Sequence, residues 1–236
     1  MVYLEDVSDY KVEDAGQVII VNCNNITVEN MDLSNTSVGI ELWRTENSKV
    51  LNNTVGNNRG GIILYFSSNN IITGNNANNN NWDGIRLYDS NNNTIYFNNF
   101  INNLVKGIFL RESKNNIISK NTCSNNRVGV DFWDSNKNLI YLNNFINNAR
   151  NTQRVSSIYY ALPNTWNSTE EITYIYNGTT YESYLGNYRD DHKGTDAEGD
   201  GIGDTHYSID SDSDESDDYL LTKPFENYVL TTSSPA

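Results

Sequence analysis

A repeat of 22 or 23 residues runs through most of the first two thirds of this chain. One column of glycines defines it, with successive spacings of 22, 23, 23 and 22 residues: Gly39, Gly61, Gly84, Gly107 and Gly129. A column of asparagines keeps the same step: Asn30, Asn53, Asn75, Asn98, Asn121 and Asn143. Two columns in register indicate that each repeat is one structural unit stacked on its neighbours.

Each repeat glycine begins a short segment in which apolar and variable residues alternate, as in Gly39-Ile-Glu-Leu-Trp43 and Gly84-Ile-Arg-Leu-Tyr88. Alternation with a period of two is typical of a β-strand. Two more apolar columns follow in the repeats: Val50, Ile72, Ile95, Ile118 and Ile140, and then Val55, Ala77, Phe100, Cys123 and Phe145. A unit this short cannot hold a strand, a helix and a second strand, but it suits one coil of short strands and tight corners.

We therefore predict an all-β fold, a right-handed parallel β-helix with about 22–23 residues in each coil. Successive coils would lie roughly 4.8 Å apart, so that equivalent asparagines at the corners can form side-chain amide ladders and adopt the left-handed backbone conformation. A leucine-rich-repeat horseshoe is the alternative. Its helical stretch would fall on asparagine runs such as Asn78–Asn81, which disfavour a helix.

The repeat stops near Ser156, which divides the chain into β-helix coils at residues 1–155 and a C-terminal cap at residues 156–236. An irregular aromatic segment is expected there, because the last coil would otherwise expose strand edges and apolar side chains. The aromatic residues concerned are Tyr159, Tyr160, Trp166, Tyr174, Tyr176, Tyr181, Tyr184 and Tyr188. The first 15 residues are acidic and weakly patterned, which is compatible with a truncated N-terminal part.

The acidic residues are concentrated towards the C-terminus. Residues 190–218 hold 12 acidic side chains and one basic side chain, in a chain with a formal net charge of −14. This balance disfavours nucleic acid as a partner and favours either cation binding or a solvated acidic segment. No apolar run is long enough to insert into a membrane. The two cysteines, Cys23 and Cys123, would lie roughly 19 Å apart over four coils, so we predict that both are unpaired packing residues.

The coils, with their Asn-Asn and Gly-Ile-X-Leu segments, resemble the NosD-like group of carbohydrate-binding and sugar-hydrolase (CASH) β-helix proteins. The tail resembles the C-terminal part of such domains in archaeal cell-surface proteins, including S-layer types, through Asn164-Thr-Trp-Asn-Ser-Thr169, Leu185-Gly-Asn-Tyr188 and the segment from Gly194 to Asp204. The resemblance covers nearly the whole chain. It implies a right-handed parallel β-helix in an extracellular or periplasmic setting, and it implies less about activity, because the group mixes surface proteins, glycan binders, enzymes and copper-site maturation factors.

The acidic loop at residues 196–204 is a candidate calcium site. It has acidic side chains at positions 1, 3, 5 and 9 and a glycine at position 6, as in an EF-hand loop. The expected ligands are the side chains of Asp196, Glu198, Asp200 and Asp204 and the carbonyl of Ile202. Position 12 is Tyr207, so the bidentate glutamate is missing. A solvated acidic turn is the alternative, and Asp212–Asp218 is expected to be a solvated loop.

The outward positions of the predicted strands form a candidate binding surface. Stacking would place one exposed column along the sheet, consisting of Trp43, Tyr65, Tyr88, Arg111 and Trp133. We name this column the aromatic stripe. Beside it would run a second exposed column, consisting of Glu41, Ile63, Arg86, Phe109 and Asp131. Aromatic planes next to charged groups suit a polysaccharide, whereas the alternative is a stripe that stabilises the sheet or is covered by protein.

The leading functional hypothesis is a non-catalytic extracellular module at a cell surface. It would bind a cell-surface polysaccharide or a neighbouring envelope protein through the stripe, with Arg86, Arg111 and Asp131 as polar contacts and Ca²⁺ ordering the cap. A polysaccharide hydrolase, lyase or epimerase acting on the same face is the alternative, although no arrangement of carboxylates stands out as catalytic. A copper-related role is weaker, because soft ligands are scarce and His192 and His206 read as surface residues.

Overall fold

The computed structural model describes residues 1–155, 162–210 and 215–231. The repeats form three parallel sheets, and each coil contributes strands to the first two, whereas only the later coils contribute a strand to the third. The first sheet has eight strands: β1 (Val2–Glu5), β3 (Val18–Val21), β5 (Val38–Trp43), β7 (Gly60–Tyr65), β9 (Asp83–Tyr88), β12 (Lys106–Arg111), β15 (Val128–Trp133) and β18 (Arg150–Val155). This is the parallel β-helix that the repeat predicts.

The second sheet has seven strands: β2 (Ser8–Lys11), β4 (Asn24–Glu29), β6 (Lys49–Leu51), β8 (Ile71–Thr73), β10 (Thr94–Tyr96), β13 (Ile117–Ser119) and β16 (Leu139–Tyr141). The third sheet consists of β11 (Asn99–Ile101), β14 (Thr122–Ser124), β17 (Asn144–Ile146) and β21 (Tyr188–Arg189). The weakly patterned N-terminus also joins the solenoid, because Val2 pairs with Val18 and Tyr10 pairs with Ile26.

The described part of the cap contains two small antiparallel sheets and a short helix. One sheet is β19 (Ile172–Tyr176), β20 (Thr179–Ser183) and β24 (Val229–Leu230), and the other is β22 (Tyr207–Asp210) and β23 (Glu215–Asp217). The 3₁₀-helix spans Phe225–Asn227. Trp166 is buried and packs edge-on against Phe132 at the end of the solenoid core. Tyr159 and Tyr160 lie outside the described residues.

The interior is filled by the apolar columns that the sequence predicts. Ile62, Ile85 and Ile108 follow one another in register on the inner face of the first sheet and are fully buried. Cys23 and Cys123 are both buried and unpaired, as predicted. The repeat glycines are required because a Cβ on Gly61 would lie 2.2 Å from the carbonyl oxygen of Gly84. Any other residue would therefore push adjacent coils apart.

The two residues of each Asn-Asn pair differ in backbone conformation and burial, which the sequence does not reveal. In Asn52-Asn53 and Asn79-Asn80, the first residue adopts the left-handed conformation at a corner, with φ of 55° and 58°. The second residue points inward and is buried. The first member of the predicted asparagine column is wrong. Asn30 aligns with the corner residue Asn52 and not with the inward residue Asn53. The residue beside Asn53 in the preceding coil is Met31, whose backbone N–H donates to Oδ1 of Asn53 at 3.1 Å.

The inward asparagines form three ladders, one along each corner of the solenoid. The members of the first ladder are Asn53, Asn75, Asn98, Asn121, Asn143 and Asn187; those of the second are Asn70, Asn93, Asn116, Asn138 and Asn164; and those of the third are Asn58, Asn80, Asn103, Asn126 and Asn148. In each ladder the Oδ1 atom accepts a backbone N–H from the preceding coil.

Asn75 illustrates how the side-chain amide of a ladder residue is fully hydrogen-bonded. Its Oδ1 accepts the backbone N–H and the side-chain amide of Asn53, at 2.9 and 3.0 Å. Its Nδ2 donates to the carbonyl of Val50 at 2.9 Å and to Oδ1 of Asn98 at 3.0 Å. Buried amides are tolerated only when they are paired in this way, so the ladders both connect the coils and fix their register.

Each ladder meets a carboxylate at its C-terminal end. The first ends where Asn187 donates its amide to Oδ2 of Asp217 at 2.9 Å. The third continues from Asn148 to Asn151 and on to Oδ1 of Asp190 at 3.1 Å. A carboxylate accepts hydrogen bonds but has no amide proton to pass on, and it therefore terminates the series.

The second ladder ends at Asn164, beside the buried carboxylate of Glu215. Burial raises the pKa of Glu215, while hydrogen bonds from Trp166 and Asn164 and the charge of Arg154 oppose the rise. Glu215 and Asp217 are therefore structural residues, and the prediction of a solvated loop at Asp212–Asp218 is wrong at these two positions. Asp212 and Asp214 lie outside the described residues.

We predict that Asn98→Ala lowers the free energy of unfolding by about 3 kcal/mol, because buried donors and acceptors in the adjacent coils lose their partner. Asn76→Ala is the matched control: this asparagine is exposed, and its replacement should change stability by less than about 0.5 kcal/mol. Urea unfolding followed by circular dichroism measures both variants. Equal stability of the two would contradict a structural role for the ladder.

The end of the first ladder predicts a pH dependence of stability. Burial raises the pKa of Asp217 to about 6, although Arg189 and the amide donors of Asn187 oppose the rise. The native carboxyl thus holds its proton more tightly than the unfolded one, whose pKa is about 3.9. Its contribution to stability is therefore greatest below about pH 4 and declines as the pH rises to about 6, by about 2 kcal/mol.

Asp217→Asn should remove this decline, whereas Asp218→Asn, which changes an exposed neighbour, should retain it. The measurement is the free energy of unfolding of the two variants and the wild type between pH 4 and pH 7. An unchanged pH profile in Asp217→Asn would show that this carboxyl does not titrate in that range.

Candidate functional site

The aromatic stripe forms on the outer face of the first sheet as the register predicts. Trp43 pairs with Tyr65, Tyr65 with Tyr88, Tyr88 with Arg111 and Arg111 with Trp133. The ring centroids of Trp43 and Tyr65 are 4.8 Å apart, and those of Tyr65 and Tyr88 are 5.7 Å apart. Neighbouring rings therefore touch along the column.

Arg111 continues the stripe where an aromatic residue is missing. Its guanidinium carbon lies 4.8 Å from the ring centroid of Tyr88 and 5.0 Å from that of Trp133, which are cation–π distances. Trp43 is 36% exposed and Trp133 is 42% exposed, so the stripe has open indole faces at both ends. Large exposed apolar surface on a rigid sheet is typical of a binding surface.

The second column is not the exposed row that the sequence predicts. Ile63, Phe109 and Asp131 are buried, while Glu41 and Arg86 are half-buried. The physical reason is a third outward column that lies across it. Lys106 places its Nζ 3.3 Å from the ring centroid of Phe109 and 2.7 Å from Oδ2 of Asp131.

A second ion pair lies one coil earlier, between Asp83 and Arg86. Oδ2 of Asp83 accepts hydrogen bonds from Nε and Nη2 of Arg86 at 2.8 and 2.6 Å. Burial raises the pKa of Asp83, and the charge and hydrogen bonds of Arg86 oppose the rise. Oδ1 of Asp83 and Oδ1 of Asp131 are both buried without a hydrogen-bond partner. Each carboxylate therefore has one oxygen in an ion pair and one that is unsatisfied.

Three residues of this face are not among those predicted from the sequence: Asp83, Lys106 and Arg59, whose guanidinium carbon lies 3.9 Å from the ring centroid of Trp82. These residues stand one or two positions before a repeat glycine. Because each repeat glycine points inward, the residue before it points outward. The alternation therefore extends the predicted face to Asp83 and Lys106, but it does not place Arg59, which stands two positions before Gly61.

A groove of about 530 Å³ lies at the C-terminal end of this face. It brings together Asp131 and Trp133, which the sequence predicts as site residues, with Lys106, Arg127 and Arg150. Tyr65 and Trp43 lie farther along the stripe and do not line the groove. The face thus combines an aromatic track with a charged groove at one end.

The predicted calcium loop is far from this face in sequence and is closed by its own hydrogen bonds. The carboxylate of Asp196 accepts the backbone N–H of Asp200 at 3.1 Å and of Gly201 at 2.9 Å. Oδ1 of Asp200 accepts the N–H of Ile202 at 2.8 Å. The hydroxyl of Thr195 donates to Asp204 at 2.7 Å, and this contact lowers the pKa of Asp204.

Metal-binding geometry is missing from this loop as it stands. Within the described residues, no three side chains of His, Cys, Asp or Glu converge closely enough to hold a metal ion. Calcium binding by Asp196, Glu198, Asp200, Ile202 and Asp204 would therefore require the carboxylates to draw together.

A protein-family model matches most of the chain. The model of the family described as "Periplasmic copper-binding protein (NosD)" matches residues 4–194, which is most of the sequence. The chain belongs to the NosD family. A comparison with curated protein sequences found no match.

Several solved structures are similar to this NosD-family chain. A mutant of the periplasmic alginate epimerase AlgG is 23% identical with a TM-score of 0.55, over 65% of this chain and 38% of that one. A second AlgG mutant is 21% identical with a TM-score of 0.52, over the same shares. The A-module of the mannuronan C-5 epimerase AlgE6 from Azotobacter vinelandii is 15% identical with a TM-score of 0.47, over 66% of this chain and 58% of that one. At these identities the likeness to AlgG shows the β-helix fold alone, and the chain spans about two fifths of AlgG.

The residues of this chain do not fit a copper site. Copper favours histidine, methionine and cysteine ligands, of which the chain has two each: His192, His206, Met1, Met31, Cys23 and Cys123. Cys123 is fully buried in the core, and burial raises the pKa of its thiol, which opposes the thiolate form that binds metals. His206 is exposed, and His192 is hydrogen-bonded to Thr205. The family description is therefore not supported by a copper donor set in this chain.

In the described parts of the chain, no helix has the length and apolar character needed to cross a bilayer.

Proposed function

We propose that this chain is a non-catalytic polysaccharide-binding module that works outside the cytoplasm, at the cell surface or in the periplasm. The observation that carries the proposal is the unbroken stack of Trp43, Tyr65, Tyr88, Arg111 and Trp133. The four steps of this stack extend roughly 19 Å at the usual strand spacing. An elongated stack of flat apolar faces is complementary to the ring faces of successive sugars in a polymer.

The rigidity of the face supports binding without large rearrangement. The stripe stands on parallel strands whose corners are held by the asparagine ladders, so its side chains lose little conformational freedom when a ligand binds. The placement outside the cytoplasm rests on the family description, which is periplasmic. A neighbouring envelope protein is the other partner that the exposed indoles would suit.

We predict that the quadruple variant with Trp43, Tyr65, Tyr88 and Trp133 each replaced by Ala no longer binds a polysaccharide that the wild type retains. The single change Trp43→Ala should weaken binding roughly tenfold, because one stacking surface is lost. Affinity electrophoresis or glycan-array binding measures this effect. Tyr10→Ala is the matched control, because Tyr10 is an exposed aromatic residue on the second sheet.

The folded state of each variant is checked by its thermal midpoint. Glycan retention by a folded quadruple variant would reject the stripe as the binding surface. Binding of an envelope protein that is lost in the same variant, with no glycan retained by the wild type, would instead assign the stripe to a protein partner.

An enzyme acting on the same face is the second candidate function. The unsatisfied oxygens of Asp83 and Asp131 favour it, because an unpaired carboxylate oxygen can act as a general base. Against it, both carboxylates are held in ion pairs with cations. Incubation with candidate polymers distinguishes the two functions: new reducing ends, unsaturated products or exchange of ring protons with deuterated solvent would overturn the non-catalytic assignment.

The calcium hypothesis concerns the cap. Ca²⁺ prefers several oxygen ligands, and the loop at 196–204 holds four acidic side chains whose backbone is already folded around Asp196. We propose that Ca²⁺ draws these carboxylates together and orders the loop against the cap.

If so, addition of Ca²⁺ to chelator-treated protein should raise the thermal midpoint, because a ligand that binds only the folded state stabilises it by about 2.7 kcal/mol at a concentration 100 times its Kd. Glu198→Gln should reduce the shift, and Glu182→Gln, an exposed-strand control in β20, should preserve it. Scanning calorimetry with Ca²⁺ and with Mg²⁺ measures it. An unchanged midpoint in wild-type protein would reject the site.

A further inference from the structure

The groove at the C-terminal end of the stripe has a composition different from that of the stripe. Its column positions are continuous with the sheet, since Lys106 aligns with Val128, and Val128 aligns with Arg150. Gln153 follows Asp131 in the same way, and both line the groove. Lys106, Asp131, Arg150 and Gln153 therefore lie on adjacent strands, which fix their spacing, whereas Arg127 lies in the bend just before β15.

The groove is cationic in a chain whose net charge is −14. Lys106 is ion-paired with Asp131 at 2.7 Å, which balances one charge of each sign. Arg127 and Arg150 are exposed and, within residues 1–155, 162–210 and 215–231, neither guanidinium has a carboxylate or an aromatic ring as partner. The two arginines thus leave the groove with two uncompensated positive charges, which favours an anion.

Asp131 supplies an independent observation that points to a ligand. The residue is only 2% exposed, its Oδ2 is paired with Lys106, and its Oδ1 has no hydrogen-bond partner. A buried carboxylate oxygen without a donor is costly, and in a native protein it needs an explanation. A ligand hydroxyl that displaces the side chains covering this oxygen would donate to it, whereas the ion pair with Lys106 offsets the repulsion between Asp131 and an anionic ligand.

Trp133 adds an aromatic surface to the arginines and the carboxylate of the groove. It lines the groove and is also the last aromatic member of the stripe. A ligand in the groove would therefore meet a flat apolar surface, a hydrogen-bond acceptor and two guanidinium groups at once. Sugars that carry a carboxylate combine an apolar ring face, hydroxyl donors and an anion that pairs with arginine through two parallel hydrogen bonds.

We propose that this groove is a subsite for a uronate residue, so that the polymer bound by the stripe is an acidic polysaccharide. This inference rests on the proposed function and specifies its substrate class. The stripe provides affinity for sugar rings in general, and the groove selects the chains whose units carry carboxylates.

Isothermal titration with three probes tests the assignment: an oligouronate, a neutral oligosaccharide of equal length and a sulfated oligosaccharide. The wild type should bind the oligouronate at least tenfold more tightly than either of the others. The double variant Arg127→Gln with Arg150→Gln should lose this preference, with a 10- to 100-fold weaker affinity for the oligouronate and an unchanged affinity for the neutral probe.

The matched control is the double variant Arg44→Gln with Lys49→Gln, which removes the same charge from exposed positions outside the groove. It should keep the uronate preference. An equal loss in the control would show that the effect is general electrostatics and would overturn the subsite. Equal affinity of the wild type for sulfated and carboxylated probes would overturn the assignment to a uronate.

The failure of this inference is distinguishable from the failure of the proposed function. If the wild type binds neutral and acidic oligosaccharides equally, and the stripe variant loses both, the uronate subsite is wrong while the glycan-binding stripe stands. If the oligouronate binds through the arginines and is insensitive to the stripe variant, the subsite stands and the stripe is not part of the glycan site.

Discussion

The structure depends on the pairing of buried asparagine amides between coils. A short coil has little room for an apolar core, and each of its corners leaves backbone N–H groups that face inward. In the described coils, ladder side chains such as Asn75 and Asn98 accept these N–H groups and donate to carbonyls one coil away. One residue type thus satisfies the corner and fixes the register, and the carboxylates of Asp190 and Asp217 supply the final acceptors.

The regular stacking of side chains on the outer face results from this internal pairing. Because the ladders hold equivalent residues directly above one another, the side chains of Trp43 and Tyr65 come into ring contact, and Arg111 spans Tyr88 and Trp133. The same vertical order places Lys106 over Phe109 and beside Asp131. The aromatic stripe therefore lies entirely on one sheet, and the charged groove is formed by the same sheet together with the bends that lead into its strands, such as the bend at Arg127.

The repeat period, the inward apolar columns and the stripe could be predicted from the sequence, since each depends only on a fixed spacing and on strand alternation. Burial of Asp131 could not, because it depends on Lys106 reaching across from the neighbouring column. The roles of Glu215 and Asp217 were also hidden: their acidic surroundings indicate a solvated loop, whereas their contacts with Trp166 and Asn187 are made over long sequence distances. The coils can thus be predicted from the local sequence pattern, whereas the burial and pairing of Asp131, Glu215 and Asp217 depend on contacts between residues that are distant in sequence.

Hydrogen exchange of individual side-chain amides tests the central claim most directly. In an NMR spectrum of the native protein, the Nδ2 protons of ladder residues such as Asn75, Asn98 and Asn121 should exchange many times more slowly than those of exposed asparagines such as Asn57 and Asn79. They should also show contacts with the ladder members one coil above and below. Ladder amides that exchange as fast as the exposed ones would contradict the account, because the coils would then be held together without them.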